Sequence, residues 1–227
     1  MLSIIALLVI AQFRPSEEIV DPVQREFGPY EPPNLCGERP LLEGMCYVPP
    51  GRLHPASPEA DLWSRNIMST VLGRSEEPNL WVGEKEQRTF RCTVLPAAER
   101  AVVVRATPTR NGVRISTKIL SDDSGNRVGE LKTASSSVTN RIKWHDIDRQ
   151  VGRQVSEERE PPRVRDEHLA YLGATQWFVE ARDGDKYYFW PISRPNEDDK
   201  GRGVAALCKR LAGLGGDPGA RFVADLE

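Results

Sequence analysis

Aromatic and β-branched positions organise the chain around residues 174–193, ATQWFVEARDGDKYYFWPIS. Two runs of aromatic and β-branched residues flank Asp183-Gly184, a dipeptide that supplies the positive φ of a tight turn, so the stretch predicts a β-hairpin. Strand side chains alternate with period two. On the first arm Trp177 and Val179 therefore share one face, and Phe178 and Glu180 the other. On the second arm Tyr187 and Phe189 oppose Tyr188 and Trp190. Large rings on both faces require cover on both sides, which predicts a hairpin inside a layered domain with its rings buried.

The same period recurs upstream. Residues 88–95 alternate with Phe90, Cys92 and Val94 inward, and 101–107 form a dense valine run. Asn111-Gly112 then marks a type I′ turn into a strand over 113–120. A polar turn over 121–126 leads to a further strand over 128–133, completing an antiparallel meander, and Ser135-Ser136-Ser137 reads as a polar break. Helical spacing appears three times. Ser57-Pro58-Glu59 combines a serine cap, proline in the first turn and an acid at the positive end of the dipole. Trp63, Ile67 and Val71 follow, with Gly73 as the stop. Trp144, Ile147 and Val151 form a second stripe, and Val204, Leu207, Cys208 and Leu211 a third, within a helix over 202–214. Helices segregated from hairpins define an α+β class with three short helices. Strand–turn–strand–helix occurs twice, over 113–151 and 175–214, which suggests two similar ββα layers, with sub-lobes at 57–152 and 166–215 inside a domain over 57–215. Residues 12–56 are proline-rich and read as an irregular arm laid over that domain, and 216–227 as a loose tail.

Residues 1–11, MLSIIALLVIA, are apolar but shorter than the roughly 20 residues a spanning helix needs, so no stable transmembrane span is expected. They fit the apolar region of a signal peptide, cut near Ala11 or retained as a short anchor, and so predict a periplasmic or secreted protein. Charge adds an exclusion. The 31 basic and 33 acidic side chains interleave, and no long basic run exists to release counterions from a phosphate backbone, so nucleic acid is not an expected partner.

Four cysteines suit an oxidising compartment. Cys36 and Cys46 bracket a short loop and are expected to pair. Cys92 on its strand and Cys208 on its helix read as two buried thiols, with three pairings formally open. Zinc-ligand spacing is absent, and no metal is expected. Gly201-Arg202-Gly203-Val204-Ala205-Ala206 matches G-x-G-x-x-A, but it follows a hairpin rather than a parallel strand, and Glu197, Asp198 and Asp199 would repel phosphate, so no cofactor is expected. His54 and His145 read as solvated side chains, and His145 and Asp146, as helix neighbours, do not face one another. The one grouping that suggests catalysis is His168, Glu180 and Arg194, in which a histidine and a carboxylate could act as acid and base. A structural ion pair between Glu180 and Arg194 near the hairpin base explains two of the three equally well. Tyr188 and Trp190 are the candidate binding residues, as an aromatic platform if the hairpin exposes them.

Gly173-Ala174-x-x-Trp177-x-x-Glu180, Asp183-Gly184, Tyr187 or Tyr188, and Arg194-Pro195 resemble a signature in a loose group of uncharacterised exported bacterial proteins. The meander, with Gly129-Glu130-Leu131 after a glycine-containing turn, is similar to that group's middle region, whereas Phe189-Trp190-Pro191 departs from its pattern. The resemblance implies export and an α+β fold and carries no activity. The sequence therefore points to a non-catalytic envelope or secreted interaction module, binding a protein or cell-envelope component. The alternative is an envelope hydrolase built on the His168 grouping.

Overall fold

The computed structural model describes residues 35–36, 46–53, 57–83, 88–95, 100–121, 128–157, 175–192 and 199–215. The chain is α+β. Helix α1 spans Pro58–Arg74, strands β1 to β4 span Thr89–Leu95, Val102–Thr109, Gly112–Leu120 and Leu131–Thr139, and helix α2 spans Trp144–Glu157. Strands β5, Gln176–Asp183, and β6, Lys186–Ile192, and helix α3, Asp199–Leu214, complete the order among the described residues. All six strands form one antiparallel sheet in the order β4-β3-β2-β1-β5-β6. Meander and hairpin are thus not two ββα layers. They fuse because β5 lies along β1, with Val179 opposite Cys92 and Glu180 opposite Arg91.

The alternation read from sequence sorts the two faces. Phe90, Cys92, Val94, Val102, Val104, Ile115, Trp177, Val179 and Trp190 form the main core with Ile147 of α2 and Val204, Leu207 and Leu211 of α3. Phe178 and Phe189 lie on the opposite face and stack with ring centroids 6.3 Å apart. On that face the segment after α1 lies against the sheet, its carbonyls accepting from Arg91, Lys118 and Arg182. The sulfur atoms of Cys36 and Cys46 lie at disulfide distance, 2.19 Å. Those of Cys92 and Cys208 do too, at 1.99 Å, so the two are not buried free thiols but a bond between a central strand and the last helix. Their positions on facing apolar surfaces of the same core bring them together. Among the described residues no helix is long and apolar enough to cross a membrane.

Three local features differ from the sequence reading. Ser135, Ser136 and Ser137 do not break the chain: β4 runs through them, because β3 supplies a complete partner from Val113 to Leu120. The turn before β3 lies one residue earlier than Asn111-Gly112. Its central residues are Arg110 and Asn111, and the positive φ belongs to Gly112. Asp183-Gly184 is likewise offset by one, with Gly184 and Asp185 central and Gly184 at φ 60°, the position where a type II′ turn needs glycine.

Helix α1 begins as expected, with the Ser57 side chain accepting from Ala60 N–H. It ends one residue beyond Gly73, in a Schellman arrangement: Glu77 N–H donates to Leu72 C=O and Glu76 N–H to Gly73 C=O. The left-handed residue is Glu76, φ 51°, the only non-glycine with positive φ among the described residues. The helix is buried on a polar side as well as an apolar one. Asn66 accepts from Leu35 and Cys36 N–H, Ser69 from Tyr47 N–H, and Asp61 from Gly51 and Leu53 N–H. These side chains substitute for the strand partners that the irregular arm lacks. Of the three residues at helical spacing, Ile67 and Val71 are buried and Trp63 is 38% exposed.

Candidate functional site

The α1 side of the sheet carries charges where an enclosed face would ordinarily be apolar. One register line crosses the sheet from Glu180 on β5 through Arg91 on β1 and Arg105 on β2 to Ser116 on β3. Arg91 and Glu180 are completely buried. Their pairing is bidentate: Arg91 Nε and Nη2 donate to Glu180 Oε2 and Oε1, each at 2.7 Å. The planar fork matches both carboxylate oxygens at once. Tyr187 on β6 donates its hydroxyl to Glu180 Oε1 at 2.9 Å, and Arg91 Nη1 donates to Pro78 C=O at 2.7 Å.

The second carboxylate is Glu77, delivered by the turn that ends α1. Its Oε1 lies 3.2 Å from Lys118 Nζ, and its Oε2 lies 3.5 Å from Arg105 Nε and 3.7 Å from Arg91 Nη1. Oε2 is buried without a hydrogen bond among the described residues, so it is held by charge. Lys118 also donates to the carbonyls of Ser75 and Glu76, and Arg182 to those of Leu80, Trp81 and Gly184. Cations on three strands thus grip the backbone of the segment after α1. The first of these carbonyls belong to the negative end of the α1 dipole, which a lysine stabilises. Lys118 on both Ser75 and Glu76 carbonyls also accounts for a non-glycine residue tolerating the left-handed conformation at Glu76.

Burial pulls the Arg91 guanidinium down, but the carboxylates of Glu180 and Glu77 outweigh it and hold the group above the ordinary arginine value. Burial of the Tyr187 hydroxyl beside the Glu180 carboxylate pushes that phenol well above the usual tyrosine range. The sign is definite. A proton held more tightly in the folded chain gives stability that is complete below the unfolded tyrosine value of about 10 and is lost as pH rises beyond it. Tyr187→Phe will therefore flatten the fall in unfolding free energy above about pH 10, whatever it costs at neutral pH. Urea titrations at neutral and alkaline pH measure this, and parallel curves for the two proteins would refute it.

The sequence candidates fall elsewhere or play other parts. His168 and Arg194 lie outside the described residues, as do His54 and the cut near Ala11. Glu180 is present, but its partners are Arg91 and the half-buried Tyr187. Trp190 is 6% exposed beneath the helices and offers no platform. Tyr188, partly buried, stacks on it at 5.7 Å. His145 and Asp146, although neighbours on α2, do approach, with Nε2 2.9 Å from Oδ1, and His145 is exposed. Gly201 and Gly203 lie inside α3, and the Gln150 side chain donates to Gly203 C=O, so this stretch is not a loop opening onto a phosphate. Sequence reasoning missed Arg91, Glu77, Arg105 and Lys118. Alternation carries no signal for Arg91, because a charge between the inward residues Phe90 and Cys92 is what a solvent-facing position ordinarily shows.

No protein-family model matches this chain, and no curated protein is significantly similar to it.

Proposed function

We propose that this is a non-catalytic interaction module of the cell envelope or of the secreted fraction, acting on a protein or envelope component. The observation that carries the reading is the closure of the charge cluster. The carboxylate that a hydrolase would need, Glu180, is fully buried, with a guanidinium on both oxygens and a phenol on one. A general base must reach a substrate or its water, and the Glu180 carboxylate is instead occupied by Arg91 and Tyr187 within the sheet. Export is supported by the apolar residues 1–11 and by two cysteine pairs at disulfide distance, a usage that suits an oxidising compartment.

The test has two arms. Mass spectrometry of the native protein from fractionated cells should find it outside the cytoplasm with both cysteine pairs oxidised. Photo-crosslinkers placed at exposed positions in living cells should capture one recurrent envelope component. A purified chain that hydrolyses ester, amide or glycoside substrates, and loses that activity in Glu180→Gln while remaining folded, would replace this reading with the hydrolase.

A further inference from the structure

The two edges of the sheet are finished differently. In a two-residue hairpin the residues flanking the turn exchange both backbone bonds, and bonded and non-bonded pairs then alternate. From the Asp183–Lys186 pair, this leaves Tyr187, Phe189 and Pro191 aimed outward on β6. Pro191 has no N–H, so that edge lacks a donor, a common way of blunting an edge strand. On β3 the even-numbered residues bond towards β2, as Leu120 N–H to Ala101 C=O shows, and the odd-numbered ones towards β4, as Ser121 N–H to Glu130 C=O shows. Thr133, Ser135, Ser137 and Thr139 therefore face β3, and Ala134, Ser136 and Val138 turn N–H and C=O out to the edge. Strand β4 has nine residues, no proline, and Lys132 as its only charge. It is an open edge.

Its sequence is also nearly a palindrome: Thr133-Ala134-Ser135-Ser136-Ser137-Val138-Thr139, centred on Ser136. Two antiparallel copies related by a twofold axis at Ser136 would pair Ser136 with itself, Ser135 with Ser137, Ala134 with Val138 and Thr133 with Thr139. The centre falls on an outward residue, so Ser136 and the two Ala134–Val138 pairs would be the bonded pairs. Lys132 would meet Asn140, with no like charges opposed. Val138, 50% exposed, would gain an apolar neighbour in the other copy's Ala134. An isologous interface requires this self-complementarity, in which residue i meets j and j meets i.

We propose that the occupant of this edge is a second copy of the same chain, joined β4 to β4 about Ser136, so that the two sheets become one of twelve strands. The inference does not depend on the proposed function. Sedimentation of the full chain over a concentration series should give a species of twice the 25.4 kDa chain mass. Ser136→Pro removes the central outward N–H at an edge position where proline is tolerated, so it should leave the thermal melt cooperative and weaken dimerisation about 100-fold or more. Ser136→Cys should form a covalent dimer on mild oxidation, because a bonded pair has its Cα atoms about 5.5 Å apart, within disulfide range. Ala134→Cys, facing Val138 in the other copy, should stay single. A wild type monomeric at every concentration overturns the proposal. So does a dimer that survives Ser136→Pro, or equal cross-linking at the two positions.

Discussion

Replacing Glu180 by alanine will destabilise the fold by roughly 3–5 kcal/mol, the cost typical of breaking a buried ion pair on one side only. The size follows from what remains. Arg91 is completely buried, and without Glu180 it keeps the Pro78 carbonyl and a more distant Glu77 as counter-charge. Two of its donors then face a void. Glu180→Gln, which preserves one acceptor and the volume, will lose less. Arg91→Met combined with Glu180→Met will recover much of the alanine loss, since a packed apolar pair of similar volume often equals a buried ionic one. Equilibrium denaturation of the three variants gives the comparison. A loss below about 1 kcal/mol for Glu180→Ala would mean that water reaches Arg91 and that the pair is not enclosed.

Removing the bond between Cys92 and Cys208 will cost more than removing the one between Cys36 and Cys46. The two differ in the chain they close, 116 residues against 10. Loop-closure entropy grows with the logarithm of that length, giving about 4–5 kcal/mol for the long loop and about 2–3 kcal/mol for the short one. Cys92 and Cys208 both lie fully buried in the main core, so the double alanine variant also loses packing there. The Cys36–Cys46 pair sits on the arm, whose backbone α1 continues to hold through Asp61, Asn66 and Ser69. Melting of Cys92→Ala/Cys208→Ala beside Cys36→Ala/Cys46→Ala checks the order. Equal melts would show that the long loop was already compact in the unfolded chain.

The hairpin was legible because aromatic alternation and an Asp-Gly turn agree, and α1 because Ser57-Pro58-Glu59 is a local signal. Both depend on neighbours in sequence. The stretch Ser135-Ser136-Ser137 was illegible as a strand because serine favours turns, and the bonds that make it a strand come from β3. Likewise, nothing in the spacing of Cys92 and Cys208 encodes a pairing that the helix stripe and the strand face produce only after packing. The charge cluster is the clearest case. Alternation places Arg91 opposite in sense to Cys92, which ordinarily means solvent. It means burial here because the segment after α1 closes over Arg91, with Pro78 C=O and Glu77 against its guanidinium, contacts that a hydrophobic pattern does not record.

The segment after α1 is held through the carbonyl oxygens of Ser75, Glu76, Pro78, Leu80 and Trp81, a group every amino acid carries. Attachment is therefore less dependent on side chains along this stretch, apart from the buried Ser75, Glu77 and Leu80 and from Asn79, which donates to Cys46 C=O. Val82, 60% exposed at its outer bend, is free to be rewritten. The spacing between carbonyls is fixed instead, because Arg91, Lys118 and Arg182 project from strands whose register cannot shift. Mutational drift or deliberate grafting can thus change the chemistry displayed at this bend, while a single inserted or deleted residue would pull the oxygens beyond it away from their cations.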